Sequence, residues 1–169
     1  MKAAWLVLGI VGALALQTAL SRFVVRGTMA IDLVLVVVVY VALTSGPVAG
    51  LIVGTLAGLA QDALSSGVIG IGGLAKTVVG FLAGVIGTQF IVAQPVPRFV
   101  VFFAATLLHA VIFIGLYVLL DVRQFGTPYA AVTGQALGNA VVGVVAFQLV
   151  ELLPGAVERR RTQKARIRK

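Results

Sequence analysis

The run GPVAGLIVGTLAGLAQD, residues 46–62, places glycines at positions 46, 50, 54 and 58 and an aspartate at position 62, a strict four-residue spacing. The residues between them are almost all Val, Leu, Ile and Ala, and no charge precedes Asp62. Such a long apolar stretch predicts a membrane helix. Helices in lipid associate by close backbone approach, which glycine permits. We therefore expect this helix to lie buried among other helices, with Asp62 at the point where it leaves the membrane.

The composition of the whole chain agrees with a membrane protein. Of its 169 residues, 60% are hydrophobic and only 11% are charged, whereas soluble domains carry about 25% charged residues. The chain has no cysteine, which excludes disulfides, thiol catalysis and Cys-ligated metals. The net charge of +8 is uneven, because residues 159–169 hold seven of the thirteen Lys and Arg residues.

Six apolar segments follow one another along the chain. They cover approximately residues 3–20, 28–43, 47–64, 69–92, 99–120 and 129–153. Pro47 suits a helix N-terminus, and Pro95 and Pro97 are expected to separate the fourth segment from the fifth. The first segment resembles a secretory signal, but its apolar run is longer than the usual signal, so we interpret it as a helix. The sequence predicts an all-α membrane protein, a bundle of six transmembrane helices over residues 1–156, with a basic tail over 157–169.

The distribution of Lys and Arg predicts the orientation, because short cytoplasmic loops are enriched in these residues. With a cytoplasmic N-terminus, nine cations lie inside, namely Lys2, Arg98 and the seven of the tail. Three lie outside, namely Arg22, Arg26 and Arg123, and Lys76 is left over near the outer end of the fourth segment. We therefore expect both termini in the cytoplasm.

Residues 32–87 resemble the rod shape-determining MreD family. The resemblance is carried by an Asp that opens the second helix, a Gly-Pro turn, a glycine ladder, an Asp-x-x-Ser exit, a Gly-rich entry into the next helix and a further glycine pair. These features fall on Asp32, Gly46-Pro47, Gly50, Gly54, Gly58, Asp62, Ser65, Gly70, Gly72, Gly73, Gly80 and Gly84. Ile31 stands where many relatives have proline, a difference that affects the helix entry alone.

The resemblance implies a non-enzymatic protein of the bacterial cell-elongation machinery in the inner membrane. It implies the single-span protein MreC as the direct partner, with the actin-like MreB and the peptidoglycan polymerase and transpeptidase pair as further partners. It also implies a fold similar to the substrate-binding components of energy-coupling-factor transporters. A small-molecule-binding subunit of such an importer is the alternative function, although the few polar residues in the helices argue against a vitamin site.

Several residues are expected to pack helices or to make polar contacts within the bundle. Glycine permits close packing at Gly50, Gly54, Gly58, Gly80, Gly84, Gly134 and Gly138. Asp62 and Lys76 are expected to form a structural ion pair, or else to be two solvated helix ends. Asp32 is expected to meet Arg22 or Arg26, or to cap the second helix. His109 is either a proton or ligand site or, as we favour, a neutral contact between helices, with Gln135 and Asn139 as partners.

Catalysis has little support in the sequence. One histidine, no cysteine and aspartates only at predicted helix ends provide neither a catalytic triad nor a metal site, so no enzyme activity and no cofactor are expected. The tail predicts contact with anionic lipids or with a cytoplasmic partner, and it lacks the aromatic residues typical of nucleic-acid binding. Its contact residues are Arg159, Arg160, Arg161, Lys164, Arg166, Arg168 and Lys169.

Overall fold

The computed structural model describes residues 11–17, 31–65, 67–90, 94–122 and 129–152. All regular secondary structure in these ranges is helical, in six helices. The first, α1, is described over residues 11–17. The others are α2 (Leu33–Ser45), α3 (Pro47–Leu64), α4 (Ile71–Gln89), α5 (Pro95–Leu119) and α6 (Tyr129–Leu152).

Four of the described helices, α3 to α6, are long and apolar enough to cross a membrane. The prediction of an all-helical membrane bundle is therefore confirmed for the described part of the chain. The predicted bounds of α3 agree with the structure. Those of α5 were wrong, because Pro95 and Pro97 lie inside its first turn rather than before it. The first turn tolerates proline, since its N–H groups have no partner within the helix.

The second helix is unusually short and central. Its 13 residues span about 20 Å, less than the roughly 30 Å hydrocarbon core of a bilayer. It begins at Leu33 rather than near Thr28, so the expected start was wrong. Its apolar side chains are buried in two directions: Val34 and Val38 pack with α1 and α3, and Leu35 and Val39 pack with α4, α5 and α6.

A single residue, Gly46, joins α2 to α3. Its φ of 92° lies in a region that L side chains rarely adopt. Pro47 then begins α3 at a position where proline is well tolerated. This corner makes α2 and α3 neighbours in the bundle, and α4 packs most extensively on α3. The chain thus brings α2, α3 and α4 together around the site described below.

Candidate functional site

Glycines form the contact between α3 and α4. We call this contact the glycine seam; it comprises Gly50, Gly54 and Gly58 of α3 and Gly73, Gly80 and Gly84 of α4. A Cβ atom added at Gly58 would lie 2.6 Å from Cα of Gly73, and one at Gly50 would meet the backbone carbonyl of Gly80. The two backbones are therefore too close for any side chain at these positions.

The seam also fixes the backbone of Lys76. A Cβ atom at Gly54 would collide with the carbonyl oxygen of Lys76, and one at Gly84 would collide with Pro47. Beside the seam, the hydroxyls of Thr55 and Thr77 lie 2.8 Å apart and share a hydrogen bond. The position of the Lys76 backbone within the bundle thus depends on glycines, which carry no side chain.

Asp32 lies inside the bundle because α2 begins there. Its carboxylate accepts a hydrogen bond from the Leu35 backbone N–H at 2.9 Å, which is the capping interaction expected at a helix N-terminus. The residue is only 4% exposed. The predicted cap is therefore present, while Arg22 and Arg26, the predicted ionic partners, lie outside the described residues.

Lys76 provides the charge that balances Asp32. Its Nζ lies 2.9 Å from Asp32 Oδ2 and 3.1 Å from His109 Nε2. All three side chains are buried. A buried charge is strongly unfavourable without a partner, so the ion pair is what permits both charges at this depth. Lys76 lies five residues after α4 begins, about 7.5 Å along its axis.

This arrangement corrects the expected pairing of Lys76 with Asp62. Asp62 Oδ2 instead accepts hydrogen bonds from the backbone N–H groups of Gly70 and Gly73, each at 2.9 Å. A carboxylate beside a helix N-terminus is favourable, because it satisfies N–H groups that have no partner within the helix. Asp62 therefore fastens the end of α3 to the start of α4.

His109 was expected to contact Gln135 and Asn139, and that prediction was wrong for Asn139. Asn139 Oδ1 accepts a hydrogen bond from the Asp32 backbone N–H at 2.9 Å, and its Nδ2 donates to Thr106 Oγ1 at 3.2 Å. The histidine contacts Lys76 instead. We call Asp32, Lys76, Thr106, His109 and Asn139 the polar cluster; it connects α2, α4, α5 and α6.

A cavity of about 400 Å³ adjoins the polar cluster. It lies toward the end of the bundle at which α3 ends and α4 begins. The residues that line it come from α1 to α6 and include Gln17, Asp32, Gln61, Asp62, Lys76, His109, Phe113, Tyr117 and Gln135. Gln135 and His109 thus share a cavity wall. The scarcity of polar residues in the sequence concealed their convergence on one place.

The comparison with protein families decides what kind of protein carries this arrangement. The family model of the rod shape-determining protein MreD matches residues 1–154. The chain belongs to the MreD family. No curated protein and no solved structure matches it significantly.

Membership of the MreD family makes this a membrane protein of bacterial cell-shape determination. The family is described by shape determination and not by a reaction. Within the described ranges, no three His, Cys, Asp or Glu side chains are grouped as a metal site requires. The implied similarity to transporter substrate-binding components stays a prediction.

The opposite end of this MreD-family bundle holds a second ion pair, in which the arginine is buried and the glutamate is half-buried. Arg98, near the start of α5, pairs with Glu151 near the end of α6, and its guanidinium lies 4.4 Å from the centre of the Phe147 ring. Arg98 is 2% exposed. Arg98 was interpreted as a cytoplasmic loop charge, and that interpretation was wrong. Guanidinium groups stack favourably on aromatic rings, which offsets part of the cost of burial.

Gly138, Gly134 and the cations of the tail were also predicted to make contacts. A Cβ atom at Gly138 would lie 3.3 Å from the Ile31 side chain, so Gly138 faces the chain just before α2. Gly134 is half-buried near the start of α6. The seven cations of residues 159–169 lie outside the described residues.

Sequence reasoning missed Thr106, Arg98 and Glu151 and the role of Lys76. A usable signal existed for the ion pair. Asp32 and Lys76 each lie inside an apolar segment rather than between segments. One carboxylate and one amine at membrane depth are expected to neutralise each other, because either alone is costly.

Proposed function

We propose that this MreD-family protein is a non-enzymatic scaffold of the cell-elongation complex in the inner membrane, with both termini in the cytoplasm. In this proposal it binds MreC directly, and through MreC it works with MreB and with the peptidoglycan polymerase and transpeptidase. The observation that carries the proposal is the family match over residues 1–154. Support also comes from the described part of the chain, which is almost entirely helical and has four helices long and apolar enough to cross a membrane, so that much of the surface open to a partner lies on apolar helices.

One face of α5 is suited to receive the MreC helix. Val100, Ala104, Val111, Gly115 and Val118 are exposed and recur at three-, four- or seven-residue spacing. A Cβ atom at Gly115 would have no neighbour within 4 Å among the described residues. Glycine in a helix interior costs about 1 kcal/mol relative to alanine, and nothing in the described bundle compensates for that cost. A partner helix that packed closely on Gly115 would compensate for that cost.

Two small residues on other helices are already used within the bundle. Ala13 of α1 is buried among residues of α2 and α3. Gly138 of α6 faces Ile31. We therefore place the MreC contact on the Gly115 face of α5 rather than at Ala13 of α1 or Gly138 of α6.

Co-expression with MreC and affinity purification test the proposal. We expect a stable stoichiometric complex, and we expect Gly115→Leu to reduce the retained MreC while the protein still folds. Val145→Phe, which adds bulk to an exposed position on α6, serves as the control and keeps MreC. Purification of the unmodified protein without MreC would refute the scaffold assignment. Equal retention by Gly115→Leu would refute only the assignment of the face.

The basic tail is proposed to hold the C-terminus at an anionic membrane surface. Each Lys or Arg near such a surface contributes about 1 kcal/mol. Replacement of Arg159, Arg160 and Arg161 by Gln is expected to weaken association with anionic vesicles. Unchanged vesicle binding together with loss of a cytoplasmic partner would assign the tail to docking instead.

The cavity favours a second candidate, the small-molecule-binding subunit of an energy-coupling-factor importer. A cavity lined by apolar walls and a few polar groups is typical of ligand sites. Such a subunit is required to purify with the ATPase module of its importer. Retention of ATPase subunits in place of MreC would favour the importer subunit over the scaffold.

A further inference from the structure

The cavity beside the polar cluster has the dimensions of a ligand site. Its volume of about 400 Å³ lies within the range of roughly 300–1,000 Å³ that small-molecule sites occupy. Apolar side chains, among them Ala110, Ile114 and Val132, form part of its wall. Ala131 also lines it and is exposed in the first turn of α6. The cavity is therefore a partly open space that a small group can enter, and not a sealed void.

One acceptor in this cavity has no donor. Gln61 Oε1 is buried and has no hydrogen-bond partner among the described residues, and Gln61 lines the cavity. An unsatisfied buried polar atom is unfavourable, because it has lost its hydrogen bonds to water and gained none in return. Asp62, beside it in the sequence and also in the lining, uses its carboxylate to accept from backbone N–H groups. What this wall lacks is a group that donates hydrogen bonds.

The charges of the lining favour a cation over an anion. Two carboxylates, those of Asp32 and Asp62, line the cavity against one ammonium, that of Lys76. Lys76 is already paired with Asp32 at 2.9 Å. The carboxylate of Asp62 is therefore the charge left without an ionic partner among the lining residues, and it would repel an anionic ligand.

Two aromatic rings add to the preference for a cation. Phe113 and Tyr117 line the cavity with their ring centres 4.8 Å apart. The face of an aromatic ring attracts cations, and the attraction grows when the site excludes water. Tyr117 also accepts a hydrogen bond from the Val68 backbone N–H at 3.1 Å, which ties the α3–α4 connection to the cavity wall.

From these observations we propose that the cavity binds a primary ammonium group, carried by a phosphatidylethanolamine headgroup or by a small soluble amine. The ammonium donates to Gln61 Oε1, lies near the Asp62 carboxylate and contacts the rings of Phe113 and Tyr117. A quaternary ammonium has no N–H to donate, so it leaves the Gln61 acceptor unsatisfied and binds less well. The proposal is independent of MreC binding.

Two binding measurements distinguish the sources of the ammonium. The first is native mass spectrometry of the intact protein released from nanodiscs that contain phosphatidylethanolamine, phosphatidylcholine and phosphatidylglycerol with the same acyl chains. The second is the thermal unfolding temperature in detergent with ethanolamine or with choline. Preferential retention of phosphatidylethanolamine supports the lipid source. An increase in the unfolding temperature with ethanolamine, but not with choline, supports the soluble amine.

Substitutions at Gln61 tie the binding to the cavity. Gln61→Leu removes the acceptor and is expected to weaken binding about tenfold, whereas Gln61→Glu adds a negative charge and is expected to strengthen it. Gln148→Leu changes an exposed glutamine of α6 and is expected to leave binding unchanged. Equal retention of the ethanolamine and choline lipids, with no effect of either soluble amine, would overturn the proposal. Binding that neither Gln61 variant alters would overturn it as well.

Discussion

The glycine seam and the polar cluster meet at Lys76 but hold the bundle by different means. At the seam, the Lys76 carbonyl packs against Gly54, and the contact depends on the absence of side chains. In the cluster, the Lys76 ammonium reaches Asp32 on α2 and His109 on α5, and the contact depends on charges and hydrogen bonds. The seam joins two helices that follow each other in the chain, whereas the cluster also joins the start of α2 to α4 and α6, which are not its neighbours in the chain.

The comparison shows that Lys76 is held in place by two contacts, one of its backbone and one of its side chain. Packing on the seam sets the position of the Lys76 backbone along the bundle axis, and the start of the short α2 sets the position of Asp32 along the same axis. The ion pair forms only if the two side chains lie at the same level. A change in the seam is therefore expected to affect the cluster, while removal of a hydrogen bond in the cluster leaves the seam in place.

One of the two largest effects is expected from Gly54→Leu. A side chain at this position collides with the Lys76 backbone, which cannot move without separating α3 from α4. Overpacking commonly costs 1–3 kcal/mol, and we expect about 3 kcal/mol or more here, measured as the free energy of unfolding in mixed micelles. Gly115→Leu, where a Cβ atom meets nothing within 4 Å, is the control. Equal losses for the two variants would refute the close contact at the seam.

A large effect is also expected from Lys76→Met. The change removes the ammonium but keeps most of the side-chain volume, so Asp32 stays buried without its ionic partner. Breaking a buried ion pair from one side costs about 3–5 kcal/mol. Unfolding in mixed micelles measures this loss, and chemical cross-linking of α3 to α4 tests whether the seam survives. A stability equal to that of the unmodified protein would show that the charge is solvated rather than buried.

The glycine seam could be predicted from the sequence to a greater extent than the polar cluster. Gly50, Gly54 and Gly58 recur at one helical period, and Pro47 marks the helix start, so local pattern is sufficient to predict α3 and its packing face. The pairing of Asp32 with Lys76 requires knowledge of where α2 begins. Asp32 was expected at the end of the second helix, as its cap or as a partner of Arg22 or Arg26. The structure places that end inside the bundle, because α2 is shorter than the membrane is thick.

Asp62 and Lys76 show the same limit of local reasoning. Asp62 and Lys76 flank one connection in the sequence, and proximity along the chain suggested that they pair. The fold instead turns Lys76 toward α2 and leaves Asp62 to the N–H groups of Gly70 and Gly73. Helix rotation decides between these partners, and rotation depends on the packing of all neighbouring helices.

A moderate effect is expected from Asn139→Leu. The side chain loses its hydrogen bonds to the Asp32 N–H and to Thr106, which leaves the Asp32 N–H buried and unsatisfied. Such a loss costs about 1–3 kcal/mol, measured by the same unfolding assay. Gln148→Leu on the exposed face of α6 is the control. A loss no greater than that of the control would mean that Asn139 contributes nothing to the cluster.

The smallest effect is expected from Thr55→Val. The substitution keeps the shape of the side chain and removes one hydroxyl of the Thr55–Thr77 pair beside the seam. Hydrogen bonds between membrane helices contribute about 0.6 kcal/mol on average. Thr133→Val, at an exposed position of α6, gives the baseline. A loss as large as that of Gly54→Leu would show that the hydroxyls, and not the glycines, hold the seam together.

The most direct test of the central claim, that a buried ion pair between α2 and α4 completes a bundle set by the glycine seam, is a double-mutant cycle of Asp32→Asn and Lys76→Met. Asparagine is an effective N-cap, so the first change removes charge while the cap is kept. We expect the double variant to lose about 2 kcal/mol less stability than the sum of the losses of the two single variants, because the second change no longer breaks an existing ion pair. The exposed Asp121→Asn with Lys76→Met is expected to show no coupling. Additive losses for Asp32 and Lys76 would contradict the claim.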